Sequence, residues 1–286
     1  MKLCRFLAPG AATPAVGLTL DGATVLDLSS VGVTDLTELL DAPDLPALLQ
    51  SLVAKSPRSL ALEAVRLLAP VEQQEIWAAG VTYLRSKKAR MEESDFSATA
   101  YDRVYEAPRP ELFFKALGHK VVADGAPVGI RADARWNVPE PELALVLNRR
   151  GQLVGYAVGN DMSSRDIEGE NLLYLPQAKV YDRSCAIGPF ITVGVSEATA
   201  RTWSISVRIA RGGVEVFAGA TQISQIKRTF DELIGWLTRS QTFPTGAVLF
   251  TGTGVVPAND FTLAAGDDVE IAISGIGTLR NSVVVV

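Results

Sequence analysis

The stretch WNVPEPELALVLNRRGQLVGYAVGND, residues 136–161, decides how the chain around it folds. It contains two apolar segments, residues 143–147 and 153–158, which flank the polar turn RRGQ. Apolar runs of this length on either side of a short polar turn containing glycine are typical of a β-hairpin. The stretch therefore predicts two paired antiparallel strands.

Three carboxylates lie at the open end of this hairpin. Side chains alternate along a strand, so Glu140 and Glu142 lie on one face, roughly 7 Å apart. If the turn is centred on Arg150 and Gly151, Asp161 lies opposite Glu140 and on the same face. The hairpin therefore predicts a pocket that carries three negative charges.

Three carboxylates that converge raise one another's pKa unless they are solvated, paired with Lys or Arg, or bound to a metal ion. A site made of oxygen ligands alone suits Mg²⁺, Mn²⁺ or Ca²⁺, whereas zinc prefers Cys or His. The alternative is a solvated strand face without a ligand. We expect a metal site, with Mg²⁺ as the cofactor and Mn²⁺ or Ca²⁺ as alternatives.

Composition restricts the class of protein. The chain has 286 residues, 48% hydrophobic and 21% charged, which is ordinary for a globular protein. Its formal net charge is -5, and it has no basic stripe to follow a phosphate backbone, so we expect no nucleic-acid partner. The N-terminus lacks the apolar core of a signal peptide, and no apolar run approaches the roughly 20 residues of a membrane span. We therefore expect a cytoplasmic protein without a membrane partner.

The secondary-structure pattern divides the chain near Pro70. Residues 1–70 combine short strands with leucines at helical spacing, which predicts a small α+β domain. Residues 71–286 contain many short strands and an amphipathic helix at 225–237. The chain as a whole is predicted to be mostly β, in the α+β class.

Several motifs resemble the fumarylacetoacetate hydrolase family. They are PEPELALVL (139–147), GNDMSSRD (159–166), QAKVYD (177–182), GPF (188–190), TGTG (251–254) and GIGTLRN (275–281). The resemblance implies a mixed β-roll with Glu140, Glu142 and Asp161 as the metal ligands. It also implies a homodimer, because members of the family are commonly dimers.

One departure from the family concerns a lid. Hydrolases of the family carry a His-x-x-Glu dyad that activates water, but the corresponding segment here has no histidine. The chain's one histidine, His119, lies further along and is a secondary acid–base candidate. The charged residues 85–108 are predicted to form either a solvated surface or a lid over substrate, in which Arg85 and Ser86 select the substrate.

Two further sequence features indicate a binding pocket. In the family, the strand at residues 109–115 lines the pocket. Glu111 and Lys115 share one face of that strand, and we expect Glu111 in catalysis and Lys115 in substrate binding, with a surface ion pair as the alternative. By resemblance, Thr253 binds the substrate carboxylate, and a simple tight turn is the alternative.

Lys179 matches the lysine of a family motif and lies in a predicted strand. A positive charge nearby favours the neutral form of a lysine, which suits it to proton transfer. The alternative is a structural ion pair with Asp182. Lys179 and Glu111 are therefore the predicted catalytic pair.

These groups predict chemistry on a small 2-oxo acid. A metal ion held by three carboxylates keeps positions for the carboxylate and C2 oxygen of such an acid, and it stabilises the enolate formed when a C3 proton leaves. The sequences FFK, WNVPEPE and SSRDIEGEN resemble the 2-keto-3-deoxy sugar acid dehydratase branch of the family. The prediction is therefore a Mg²⁺-dependent dehydration of a 2-keto-3-deoxy-pentonate to 2-oxoglutarate semialdehyde. Alternatives are hydrolysis of the C–C bond of an acylpyruvate or 2,4-diketo acid, and a non-catalytic metal- or sugar-acid-binding protein.

Overall fold

The fold was analysed on a computed structural model, which describes residues 1–85 and 103–286. Most of the charged segment 85–108, which was predicted to form either a solvated surface or a lid, lies outside the described residues, and so does Ser86. The described part is mostly strand with a minority of helix, which confirms the predicted fold class.

The strands are β1 (Lys2–Leu7), β2 (Ala15–Thr19), β3 (Thr24–Asp27), β4 (Arg58–Ala61), β5 (Arg66–Leu68), β6 (Glu75–Gly80), β7 (Glu111–Leu117), β8 (Val128–Ile130), β9 (Asn137–Val138), β10 (Pro141–Leu147), β11 (Leu153–Asp161), β12 (Ser163–Ser164), β13 (Cys185–Val193), β14 (Ser204–Arg211), β15 (Val214–Gln222), β16 (Ala247–Phe250), β17 (Asp267–Ile273) and β18 (Gly277–Val285). The helices are α1 (Leu36–Leu40), α2 (Leu45–Ala54), α3 (Arg165–Glu170), α4 (Leu175–Lys179), α5 (Glu197–Ala200) and α6 (Phe230–Leu237).

Among the described residues, a large sheet of 11 strands carries the predicted hairpin near its centre. Its order is β4-β3-β2-β1-β13-β11-β10-β16-β6-β7, with β5 beside β1. A second sheet has the order β15-β14-β17-β18-β8, and β9 pairs with β12. The hairpin β10–β11 therefore has neighbours on both sides, so its strands are fixed in position by the sheet.

The hairpin has the predicted register. Glu142 pairs with Gly159, and Pro141 pairs with Asn160. The backbone N–H of Asp161 donates to the carbonyl oxygen of Glu140 at 3.0 Å. Because residues that face each other across antiparallel strands point to the same side, Asp161 joins the face of the two glutamates.

The prediction of a helix from residue 225 was wrong at its start. Helix α6 begins at Phe230, and the Thr229 side chain accepts a hydrogen bond from the N–H of Glu232 as its N-cap. Ile226 has extended backbone angles, so it lies outside the helix although it is buried with the helix face. The apolar spacing continued past the helix start because the preceding turn packs on the same core.

Residues 1–70 contribute to the same core as part of the large sheet. Lys2 and Leu3 of β1 pair with Thr192 and Ile191 of β13. One apolar cluster contains Leu3 and Leu49 together with residues of the central strands, including Ile187, Val248 and Phe250. The domain boundary near residue 70 stays a prediction. In the described parts of the chain, no helix combines the length and apolar character that crossing a membrane requires.

Candidate active site

The hairpin brings the three predicted carboxylates into one buried cluster. Glu140, Glu142 and Asp161 are each at most 3% exposed. One carboxylate oxygen from each lies within 4.8 Å of the others. The Glu-x-Glu spacing in β10 and the position of Asp161 at the end of β11 produce this convergence directly from strand alternation.

Each carboxylate has a donor or a cation of the protein close to one of its oxygens. Arg165 Nη2 donates to Glu140 Oε1 at 3.0 Å, and the backbone N–H of Gly252 donates to Glu142 Oε2 at 2.6 Å. Lys115 Nζ forms an ion pair of 2.5 Å with Asp161 Oδ1, although the geometry there is not that of a hydrogen bond.

Lys179 contacts the other oxygens of two of these carboxylates. Its Nζ donates to Glu140 Oε2 at 2.6 Å and to Asp161 Oδ2 at 3.0 Å. This differs from the predicted alternative of pairing with Asp182, which instead lies 3.6 Å from the exposed Lys120.

The predicted strand around Lys179 was also wrong. Lys179 is the last residue of α4, whose first turn contains Pro176. An N–H group in the first turn of a helix has no partner within the helix, so proline, which lacks this group, is well tolerated there. The proline in this position therefore favours a helix. The helix end carries Lys179 into the carboxylate cluster.

A cavity in front of the carboxylates is lined by most of the predicted functional residues. Glu111, Lys179 and Thr253 all line it together with the three acids. Phe113 and the main chain at Gly80 form part of its wall. The structure therefore brings the predicted acid–base pair, the predicted metal ligands and Thr253 into one site.

Three predicted or candidate residues lie elsewhere. Lys115 is fully buried and does not line this cavity, because its Nζ donates to the carbonyl oxygens of Met162 and Lys179 at 3.0 and 2.5 Å. Arg85 is exposed at the edge of the described region, and His119 is exposed outside the cavity lining. Ser86 lies outside the described residues.

Two functional candidates were not predicted. Arg165 is buried and contacts Glu140, which is 25 positions away in sequence. Glu168 lines the cavity and accepts a hydrogen bond from Ser163 Oγ at 3.1 Å. Both follow Asp161 closely in sequence and lie within the motif SSRDIEGEN, and these two signals could have indicated them.

The glycine-rich corner after β16 closes over the cluster. Gly252 has a φ of +88°, a conformation that favours glycine, and a Cβ there would lie 2.2 Å from Thr82 Oγ1. The next residue, Thr253, accepts at Oγ1 from the N–H of Val255 at 3.3 Å. Because Gly252 adopts this conformation, its N–H reaches Glu142.

The electrostatics of the cluster suit a cation. Burial raises the pKa of Glu142 well above its usual range, and the neighbouring Asp161 and Glu140 raise it further. Lys179 opposes this shift. Because several acidic oxygens converge in a buried site and one glutamate is hard to ionise, the donor set fits a divalent ion that prefers oxygen ligands.

Comparison with known proteins gives a consistent result. The family profile described as "Fumarylacetoacetate (FAA) hydrolase C-terminal" matches residues 75–284. A Haloferax volcanii protein described as "Probable 2-keto-3-deoxyxylonate dehydratase" is 52% identical over 217 residues, which cover 76% of this chain and 74% of that protein.

Two further similarities extend this result. A Saccharolobus solfataricus protein described as "2-dehydro-3-deoxy-D-arabinonate dehydratase" is 39% identical over 225 residues, covering 78% of this chain and 76% of that protein. A solved structure of "2-keto-3-deoxy-D-arabinonate dehydratase complexed with magnesium and 2,5-dioxopentanoate" has a TM-score of 0.81 and 33% identity, and the match covers 100% of this chain and 99% of that one.

Proposed function

Because the chain belongs to the fumarylacetoacetate hydrolase family, we propose that its acidic cavity removes water from a 2-keto-3-deoxy-pentonate with the help of a divalent ion. The protein is a metal-dependent hydro-lyase that acts on a 2-oxo acid. Its product is 2-oxoglutarate semialdehyde, which is another name for the 2,5-dioxopentanoate bound to the similar structure.

A single observation carries this proposal. Lys179 and Glu111, which can transfer protons, line the same cavity as the cluster of Glu140, Glu142 and Asp161. Dehydration needs one group to remove a proton from C3 and one to protonate the leaving hydroxyl at C4. A cavity that combines both groups with a cation site supplies these requirements together.

We propose Glu140, Glu142 and Asp161 as the metal ligands and magnesium as the ion, with Mn²⁺ and Ca²⁺ as alternatives. A magnesium ion in the similar structure supports this choice. When bound, such an ion would draw electron density from the C2 carbonyl and so make the C3 proton more acidic. Thr253, which lines the cavity, is the proposed partner of the substrate carboxylate.

Proton transfer is the task of the protein's own groups. One member of the pair Lys179 and Glu111 removes a proton from C3, and the other donates a proton to the C4 hydroxyl, which leaves as water. The double bond then lies between C3 and C4, and a shift of a proton from C5 to C3 followed by conversion of the enol gives the aldehyde at C5. The scheme works with either residue as the base and the other as the acid.

Substrate selection and assembly extend the proposal. Arg85 and Ser86 are proposed to select the substrate, because in the sequence they closely follow Val81, which lines the cavity. A homodimer is proposed from the family resemblance, and Leu173, which is 83% exposed, is a candidate for its interface. Light scattering after size exclusion would measure the assembly. The proposed location is the cytoplasm.

An NMR time course tests the proposed reaction. The protein is incubated with Mg²⁺ and a panel of 2-keto-3-deoxy sugar acids and 2,4-diketo acids, and each reaction is repeated with EDTA. We expect a hydroxylated acid to lose water only without EDTA. Release of pyruvate and a carboxylic acid from a diketo acid would show C–C hydrolysis instead, and saturable binding without product would show a non-catalytic protein.

A further inference from the structure

The three carboxylates of the cluster differ in how their two oxygens are used. Glu140 has Oε1 bonded to Arg165 and Oε2 bonded to Lys179. Asp161 has Oδ1 beside Lys115 and Oδ2 bonded to Lys179. Within the described structure, Glu140 and Asp161 therefore each have one oxygen facing Lys179 and the other facing a different cation.

These cations lie on two sides of the cluster. Lys179 lines the cavity, whereas Arg165 and Lys115 are buried and absent from its described lining. Arg165 and Lys115 therefore contact the carboxylates from the protein side. Glu142 differs from these two carboxylates, because its Oε2 accepts from the backbone N–H of Gly252, a residue that itself lines the cavity.

Lys115 is itself held firmly. It is fully buried, and its Nζ donates to the carbonyl oxygens of Met162, the residue after Asp161, and of Lys179. A buried ammonium with these partners has little freedom to move. If it moved away, the ammonium and the carbonyl oxygens would be left buried without hydrogen bonds, which is costly in free energy. Its position fixes the direction in which Asp161 Oδ1 points.

We propose that Arg165, Lys115 and the N–H of Gly252 are positioning groups that limit each carboxylate to one metal-bound oxygen and thereby favour Mg²⁺ over Ca²⁺. This inference rests on the proposed function, because it takes the cluster as the metal site. Ca²⁺ accepts carboxylates through both oxygens and takes six to eight ligands, whereas Mg²⁺ requires a compact set of six. A carboxylate whose second oxygen is held by the protein suits the smaller ion.

The test compares the affinities of Ca²⁺ and Mg²⁺ by calorimetry in the wild type and in Lys115→Met. Methionine has a similar length but neither the charge nor the N–H groups, so Asp161 becomes free to turn both oxygens toward an ion. Loss of the lysine charge strengthens the binding of both divalent ions alike. The ratio of the two dissociation constants therefore reports only the effect of the orientation of Asp161. Removing a group that orients a metal ligand typically changes metal affinity by about 10- to 100-fold. Because we expect this change to differ between the two ions, the ratio should shift toward Ca²⁺ by about tenfold.

Matched variants keep the test decisive. Lys120→Met makes the same change at an exposed lysine that pairs with Asp182, and it should leave the ratio unchanged. Arg165→Met frees Glu140 in the same way, and Arg208→Met, at an exposed arginine paired with Glu215, is its control. If Lys115→Met does not fold, Arg165→Met still tests the inference.

The outcomes separate the two proposals. Parallel changes in both affinities with a constant ratio would show that Lys115 and Arg165 only balance charge, and the inference would be wrong while the metal site stands. Failure of the wild type to bind Mg²⁺ at all would overturn the proposed metal use and the inference with it. A shifted ratio in both variants would support the inference.

Discussion

At the scale of single residues, Lys179 is the group on which the proposed proton transfer depends. Lys179→Met keeps much of the side-chain volume but removes the ammonium that contacts Glu140 and Asp161. We expect kcat to fall by at least about 100-fold, since positioned acid–base groups contribute that much. Steady-state kinetics with a 2-keto-3-deoxy-pentonate measures this loss.

The control for this prediction is Lys55→Met, which makes the same change at an exposed lysine. It should retain the wild-type kcat. Mg²⁺ affinity is measured for both variants, so that a lost metal is not mistaken for a lost proton-transfer group. A residual rate in Lys179→Met above about one hundredth of the wild-type rate would contradict the assigned role.

Glu142 leads to a prediction about pH. Its pKa is raised by burial and by its acidic neighbours, so the folded protein retains this proton at pH values where the unfolded chain has lost it. The contribution of this group to the free energy of unfolding therefore decreases as pH rises above the ordinary carboxyl pKa, which is 4.5 for Glu. A bound Mg²⁺ requires the ionised form, so its affinity should rise with pH across the same interval.

Calorimetry at several pH values, in buffers of different ionisation enthalpy, measures this effect and counts the protons released. We expect proton release on Mg²⁺ binding at the lower pH values. Glu142→Gln should bind Mg²⁺ more weakly and release fewer protons. Glu215→Gln, at an exposed glutamate paired with Arg208, should behave like the wild type. An affinity that does not change with pH would contradict a raised pKa at Glu142.

The residue scale also shows what sequence reasoning is able to reach. Strand alternation alone predicted that Glu140, Glu142 and Asp161 share a face, because the rule depends on neighbours within one hairpin. The contact of Arg165 with Glu140 depends on how the segment after β11 turns back over β10, and no local spacing encodes that. Lys115 was predicted to face substrate because its strand lines the pocket, but β7 has a bulge between the pairs Trp77–Phe114 and Ile76–Ala116, and the Nζ of the intervening Lys115 lies beside Asp161.

At the scale of elements, the corner after β16 connects backbone conformation to the site. Gly252→Ala would introduce a Cβ 2.2 Å from Thr82 Oγ1 and 3.0 Å from the carbonyl oxygen of Ala79, at a φ of +88°. We expect the free energy of unfolding to fall by more than the left-handed backbone conformation alone would cost. Mg²⁺ binding should also be weaker, because the N–H of Gly252 that donates to Glu142 must shift. Chemical denaturation and calorimetry measure the two effects.

Gly266→Ala is a close control for that substitution. Gly266 has a φ of +86°, nearly the same as Gly252, but a Cβ there would meet no atom within 4 Å. It should cost only about 1–2 kcal/mol of left-handed backbone strain and leave Mg²⁺ affinity unchanged. Equal losses of stability in the two variants would show that the contact with Thr82 has no effect.

Elements were predicted best where a turn fixes them. The pairs of β10 and β11 from Pro141–Asn160 to Val146–Gly155 have the predicted register, whereas a bulge beside the turn makes Leu147 pair with Leu153. The start of α6 was wrong because its periodicity continues through the buried Ile226, whereas the helix is capped at Thr229. The strand predicted around Lys179 was wrong because the resemblance supplied the position of the lysine but not its local conformation.

At the scale of the whole molecule, one apolar cluster contains residues of both predicted domains. Leu49 of α2 is fully buried in the cluster that includes Ile187, Val248 and Phe250 of the central strands. The sequence indicated a boundary near residue 70 because the composition of elements changes there. It gave no sign that β1 continues the central sheet through β13, since that pairing joins residues about 190 positions apart.

This shared core predicts a single cooperative unfolding transition. All four tryptophans, Trp77, Trp136, Trp203 and Trp236, lie after residue 70, so their fluorescence reports only on the larger predicted domain. Leu49→Ala should lower the free energy of unfolding by about 2–5 kcal/mol, as expected for a buried leucine. Because Leu49 packs with the central strands, the fluorescence midpoint should shift as far as the midpoint by circular dichroism.

The neighbouring residue supplies the control. Leu48 lies on the same helix but is 36% exposed, so Leu48→Ala should change the free energy of unfolding far less than Leu49→Ala. If Leu49→Ala lowers the circular-dichroism midpoint while tryptophan fluorescence keeps its wild-type midpoint, residues 1–70 unfold on their own and the shared core does not couple the two parts. Coincident shifts would mean that the N-terminal strands support the sheet that carries Glu140, Glu142 and Asp161, and that damage to residues 1–70 reaches the active site through its stability.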